Sequence, residues 1–169
     1  MELTSEFAYA IRKGHLDFVK KELANIDDID YIDESGYSFL AYAVLANNLE
    51  IVKLLLETNA NVNIQDKVDG KTCLHYCSRN GYLDITKHLL IRGANVSIQD
   101  DFGNEPLMGA VYKGTLKSSD SIINELLEII KLFLTHGSNR NNANYKGVSP
   151  FDLAKEVDYK PLIDVLENN

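Results

Sequence analysis

Four glycines, Gly36, Gly70, Gly103 and Gly147, recur at intervals of about 33 residues, the last interval widened by an insertion of about 11. Leu40, Leu74, Leu107 and Phe151 follow them at the same offset. The next residues in register are Ala43, Cys77, Ala110 and Ala154, all small. Further columns hold Gly14, Asn47, Gly81 and Gly114, and then Asn59, Gly93 and Gly137. The runs Leu49–Leu56, Leu83–Leu90 and Leu127–Leu134 match almost residue for residue, and Leu16-Asp17-Phe18-Val19-Lys20 opens another copy. A unit this short cannot bury its own apolar face, so it is stable only when stacked on its neighbours.

Local chemistry defines the unit. Ser38, Thr72 and Ser149 stand where a first helix starts and can accept a bond from an unpaired N–H. Pro106 and Pro150 fall one position inside, where a missing N–H costs nothing. The small column faces inward and lets neighbouring helices approach closely. A second helix follows, with apolar residues at i, i+3, i+4 spacing: Ile51, Leu55 and Leu56, then Ile85, Leu89 and Leu90. Gly93 and Gly137, and less comfortably Asn59, end it in a left-handed residue. Asn61-Val62-Asn63-Ile64 and Asn95-Val96-Ser97-Ile98 are predicted to be extended. They lead to projecting turns at 33–36, 66–70 and 100–103, whose leading aspartates bond their own backbone.

The motif Gly70-Lys71-Thr72-Cys73-Leu74-His75 through Gly93-Ala94-Asn95-Val96-Ser97 resembles the ankyrin repeat. Cys73 replaces the usual proline, Glu105 the usual threonine and Asn59 a usual glycine, and the resemblance still covers essentially the whole chain. It implies an all-α fold, a slightly curved α-solenoid of helix pairs and finger turns forming a single domain over 1–169. The expected units are an N-terminal cap at 1–32, then 33–65, 66–99, 100–143 with an inserted loop at 115–125, and a C-terminal cap at 144–169. The polar stretch Gly114–Ser121 is read as that loop, with the following helix capped by Asp120 or Ser121 and running from Ile122 to His136. Pro161 suits the start of the last helix, and Asp164, Glu167, Asn168 and Asn169 make its end polar.

The net charge is −8 and the isoelectric point about 4.9. That balance argues against nucleic-acid phosphates or an anionic membrane as partner and allows a basic one. Two cysteines without a disulfide framework suggest a reducing compartment. No signal peptide or apolar span is visible, so a cytoplasmic location is expected.

Reactive constellations are sparse. Cys73 and Cys77 share a helix face, but zinc asks for three or four ligands. Repeat register places Cys77 in the small buried column and His75 where neighbouring units bond. His15, His88 and His136 fall far apart in the register. No nucleophile elbow, phosphate-binding glycine loop or His-Glu-x-x-His occurs. Asn95-Val96-Ser97 matches a glycosylation acceptor by chance. The expectation is a non-enzyme with no catalytic residue, cofactor or metal.

The resemblance implies that the partner is held by the finger tips and the outer side of the first helices. By register, the candidate binding residues are Glu34, Tyr37, Asp69, Lys71, Arg79, Asp101, Phe102, Asn104, Tyr112 and Tyr145. Tyr37, Phe102, Tyr112 and Tyr145 are aromatic where the fold does not require it, and such residues are enriched in interface hot spots. With Glu34, Asp69 and Asp101 they suggest an acidic, aromatic face. The expected function is binding and inhibition of one protein partner, basic in character, by a protein that is monomeric when free. The alternatives are a scaffold or self-associating adaptor, or an enzyme with a site at 114–121.

Overall fold

The computed structural model describes residues 2–116 and 119–168, and of Glu2 the backbone alone. Among the described residues the chain forms ten α-helices, taken in pairs. They are α1 Glu2–Lys13 and α2 Leu16–Glu22; α3 Phe39–Leu45 and α4 Leu49–Glu57; α5 Cys73–Asn80 and α6 Leu83–Ile91; α7 Pro106–Thr115 and α8 Asp120–Thr135; α9 Pro150–Glu156 and α10 Lys160–Glu167. The first helices pack in the order α1, α3, α5, α7, α9. The second helices pack in the order α2, α4, α6, α8, α10. The result is a two-layer α-solenoid whose apolar core runs continuously through every unit.

Helix starts follow the local chemistry. Ser38 Oγ accepts the Ala41 N–H at 3.2 Å. Ser149 and Asp152 bond reciprocally, side chain to backbone, at 3.0 and 3.1 Å. Pro106, Pro150 and Pro161 each lie in the first turn of their helix. The small column is wholly interior: Ala43, Cys77, Ala110 and Ala154 have no exposed surface. Asn59 and Asn47 take positive φ, 61° and 50°, at the helix ends where their counterparts are glycine.

Several expectations are corrected. The inserted loop at 115–125 is largely helix: α7 runs through Thr115, and α8 begins at Asp120 with Ser119, not Asp120 or Ser121, at its N-cap. The insertion therefore lengthens α8 by extra turns, because Ile122, Leu126, Ile129, Ile130 and Phe133 repeat at helical spacing and find apolar neighbours. The part of that loop at Lys117 and Ser118, like Met1 and Asn169, lies outside the described residues. Helix α8 ends at Thr135, and His136 is its C-cap.

Gly114 likewise departs from its column. Its counterparts Gly14, Asn47 and Gly81 have positive φ, whereas Gly114 stays helical. A Cβ there would lie 2.9 Å from Leu162, so the glycine serves close packing against α10. Finally, the stretches 61–64 and 95–98 are turns. Asn61 Oδ1 and Asn95 Oδ1 accept the N–H two residues on, at 2.9 Å each. The side-chain oxygen outcompetes an extended backbone for that donor. The same turns link units: Asp30 Oδ1 accepts the Asn61 N–H at 2.8 Å, and Asn63 Oδ1 the Asn95 N–H at 2.7 Å.

Candidate partner-binding face

Each finger is held by one acidic or amide side chain. Asp33 Oδ1 accepts from Ser35 and Tyr37, Asp66 Oδ1 from Val68 and Asp69, and Asp100 Oδ1 from Phe102 and Asn104. Asn144 performs the same task in the last finger, accepting from Lys146 and Val148. Successive fingers are then tied by backbone bonds: Lys67 N–H to Gly36 O, Asp101 N–H to Asp69 O, and Tyr145 N–H to Phe102 O, at 2.9 to 3.1 Å. The row of tips is thus a fixed edge.

Beneath it, His75 locks fingers to first helices. Its Nδ1 accepts the Thr72 N–H at 3.0 Å, which leaves Nε2 to donate to the Asn104 carbonyl at 2.9 Å. The first bond requires an unprotonated Nδ1, and burial pushes the His75 pKa below the usual histidine value. A group whose folded pKa lies below its unfolded value of about 6.5 supports the fold above that pH. As pH falls through this value the unfolded chain takes up a proton that the folded site refuses, so stability declines. In an NMR titration the His75 ring is expected to protonate below the ordinary histidine value, and the denaturation midpoint to fall from about pH 7.5 to 5.5. A ring titrating at the ordinary value would contradict this assignment.

The candidate residues separate into groups. Glu34, Asp101, Phe102, Arg79, Tyr112 and Tyr145 are exposed on one side of the stack. Phe102 is 53%, Tyr112 44% and Tyr145 74% exposed, too much surface for residues serving the core alone. Tyr145 also lies flat over the neighbouring finger, where a Cβ on Gly103 would meet its ring at 2.6 Å. Asp69 and Lys71 form an ion pair with each other. Tyr37 is half-buried between Tyr42 and Tyr76, with ring centroids at 5.5 and 6.3 Å. Asn104 is engaged throughout: besides His75, its side chain meets Asp100 and Asn144. Those two residues hold the face together as well as lining it.

The electrostatics differ from the expected acidic row. Arg79 lies over Tyr112 at 5.6 Å and Lys71 over Phe102 at 6.0 Å, which alternates cations with aromatics. Lys67 and Lys146 lie in fingers and Lys113 in α7 on the same face. The face is mixed in charge, and much of the acidity lies elsewhere, on Asp27, Asp28 and Asp30 and on exposed helix residues such as Glu50, Asp84 and Glu128.

Sequence reasoning passed over two features. Tyr9 and Tyr31, 56% and 39% exposed, extend the aromatic surface toward the N-terminus. They line a depression with Arg12, Asp33 and Glu34. A second hollow, of about 480 Å³, opens between the later fingers and α5, α7 and α9 around Gly109. The signal for it was the column Tyr42, Tyr76, Gly109, Leu153, in which glycine interrupts the tyrosines.

The two cysteines are buried and free. Burial raises the Cys73 pKa to about 12 and lifts Cys77 well above its usual value, so both stay protonated thiols. Among the described residues no three His, Cys, Asp or Glu side chains gather as a metal cluster, and no helix is long and apolar enough to cross a membrane.

Comparison with known proteins agrees with this architecture. The sequence profile of ankyrin repeats matches the chain in three overlapping copies, at residues 7–100, 59–127 and 74–168. The chain is similar to a probable E3 ubiquitin-protein ligase, XBOS33, of Oryza sativa subsp. japonica, with 33% identity over 79 residues. That match covers 47% of this chain and 15% of the relative. The E3 ubiquitin-protein ligase XBAT33 of Arabidopsis thaliana is 32% identical over 80 residues, 47% of this chain and 16% of its own. Protein phosphatase 1 regulatory subunit 27 of Mus musculus is 40% identical over 73 residues, 43% of this chain and 47% of its own. The chain thus spans less than half the length of each of these relatives.

Proposed function

This chain belongs to the ankyrin repeat family, whose arrays are protein–protein interaction modules, and from that premise we propose that it binds one protein partner through its finger and first-helix face and inhibits it by occupying the partner's surface. The observation that carries this reading is the exposure of Phe102, Tyr112 and Tyr145 along one rigid edge. Similarity to a subunit named as regulatory supports an effect on the partner's activity. The net charge of −8 favours a partner of net positive charge through the long-range field, while Lys71 and Arg79 give the contact itself a mixed character. We place the protein in a reducing cytoplasmic setting, a reading that the two buried thiols support, and take it to be a monomer when free.

Capture of the partner from native cells, followed by binding measurements, tests the proposal. Phe102→Ala and Tyr112→Ala are each expected to weaken binding by more than ~1 kcal/mol. Association is expected to slow as salt rises. Unchanged affinity in both variants would remove the face, and a salt-independent on-rate would remove the basic partner.

A further inference from the structure

In the first two full repeats a buried or half-buried tyrosine completes each finger. Tyr42 Oη donates to Asp33 Oδ2 and Tyr76 Oη to Asp66 Oδ2, both at 2.6 Å. Burial and the aspartate beside each hydroxyl raise both phenol pKa values, so each is a firm donor. The third repeat has the aspartate without the phenol. Gly109 occupies the tyrosine position, and among the described residues Asp100 Oδ2 receives only the Asn104 side-chain N–H, at 3.3 Å. Asp100 is 94% buried by its surroundings, with 6% relative exposure. The hollow of about 480 Å³ opens here, with Met108, Leu153, Val148 and Tyr112 as apolar wall and Asp100 among its lining residues.

We infer that this hollow receives a tyrosine side chain of the partner, its ring against the Gly109 backbone and its hydroxyl donating to Asp100 Oδ2. The chain itself supplies the template twice, at Tyr42 with Asp33 and Tyr76 with Asp66. The glycine leaves the third copy to be completed from outside. Gly109 is also needed for packing, because a Cβ there would lie 2.6 Å from Ser78 Oγ. The inference deepens the partner-binding reading and depends on it for biological meaning, but its test needs no partner.

The test uses N-acetyltyrosinamide and N-acetylphenylalaninamide as probes, titrated over the millimolar range into the full chain and followed by amide NMR. Shifts are expected at Asp100, Asn104, Gly109 and Tyr112, with the tyrosine probe bound about ten-fold tighter, the ratio for one hydrogen bond to a charged acceptor. Asp100→Asn keeps the turn, as Asn144 demonstrates in the next finger, and replaces the accepting oxygen with a donor. It is expected to reduce the preference to less than two-fold. Equal affinity of the two probes, shifts centred elsewhere, no binding, or a preference that survives Asp100→Asn would each overturn the proposal. The comparison of probes on the unaltered chain stands without any variant. A null titration condemns the tyrosine site alone, while the alanine variants at Phe102 and Tyr112 judge the face.

Discussion

Phe133→Ala is expected to lower the unfolding free energy by about 3–5 kcal/mol, measured by urea denaturation. Phe133 is fully buried on the inner side of α8 with Leu126, Ile129 and Ile130. Truncation removes the apolar contacts of an aromatic ring and leaves a cavity that three neighbouring helices must close. Helix α8 packs on α6, α7 and α10, so the loss falls on interfaces to both sides. Stability in a stack is a sum of unit and interface terms. The final unit is therefore expected to lose amide-exchange protection before the first. Lys131→Ala on the same helix is the control: it removes only an exposed ion pair with Glu128 at 2.7 Å, and a change within about 0.5 kcal/mol is expected. A Phe133→Ala loss below about 1 kcal/mol would mean that α8 is not an interior helix.

Asp66→Ala is expected to cost about 3 kcal/mol, and Asp66→Asn about 1. Asp66 is 6% exposed. Its Oδ1 accepts the Val68 and Asp69 N–H groups at 2.8 Å, and its Oδ2 accepts Lys71 N–H at 3.2 Å and the Tyr76 hydroxyl at 2.6 Å. Alanine leaves several of those donors without an acceptor in a partly buried turn. Asparagine keeps Oδ1 and its turn, as Asn144 does, and surrenders the Lys71 N–H and phenol bonds to Oδ2. Thermal denaturation of the two variants separates these contributions. Equal losses would mean that the bonds to Oδ2, not the Oδ1 turn, carry the stabilisation. The same finger presents Asp69 and Lys71, so the alanine variant should also weaken partner binding, whereas Asp66→Asn should largely retain it.

The first three fingers illustrate what could be read in advance. Turn-forming side chains at 33, 66 and 100 announce the fingers because an aspartate bonds its own backbone within a few residues. Capping serines and first-turn prolines announce helices for the same reason. The small column was legible because one place in every unit, from Ala43 to Ala154, refuses bulk. Other places were misread where two local options compete. Asn61 and Asn95 could support extended chain or turns, and their side-chain oxygens decide for turns. Gly114 was read as the start of a loop and is a packing contact inside α7, a fact held by Leu162 on a different helix. The inserted residues looked like loop because polar ones lead, yet the apolar residues after them continue a helix.

Amino-acid order alone settled the period, the helix pairs and the family, since each depends on residues near one another along the chain. Only the stacked structure decided which aromatics face outward. Tyr37 is drawn between Tyr42 and Tyr76, Asn104 is clamped by His75 and Asn144, and the expected acidic row is interleaved with cations. It also decided that the glycine at 109 opens a hollow before Asp100. Most of these relations join residues of neighbouring repeats, as Tyr37 with Tyr76, His75 with Asn104 and Asn104 with Asn144, and packing between repeats brings them together.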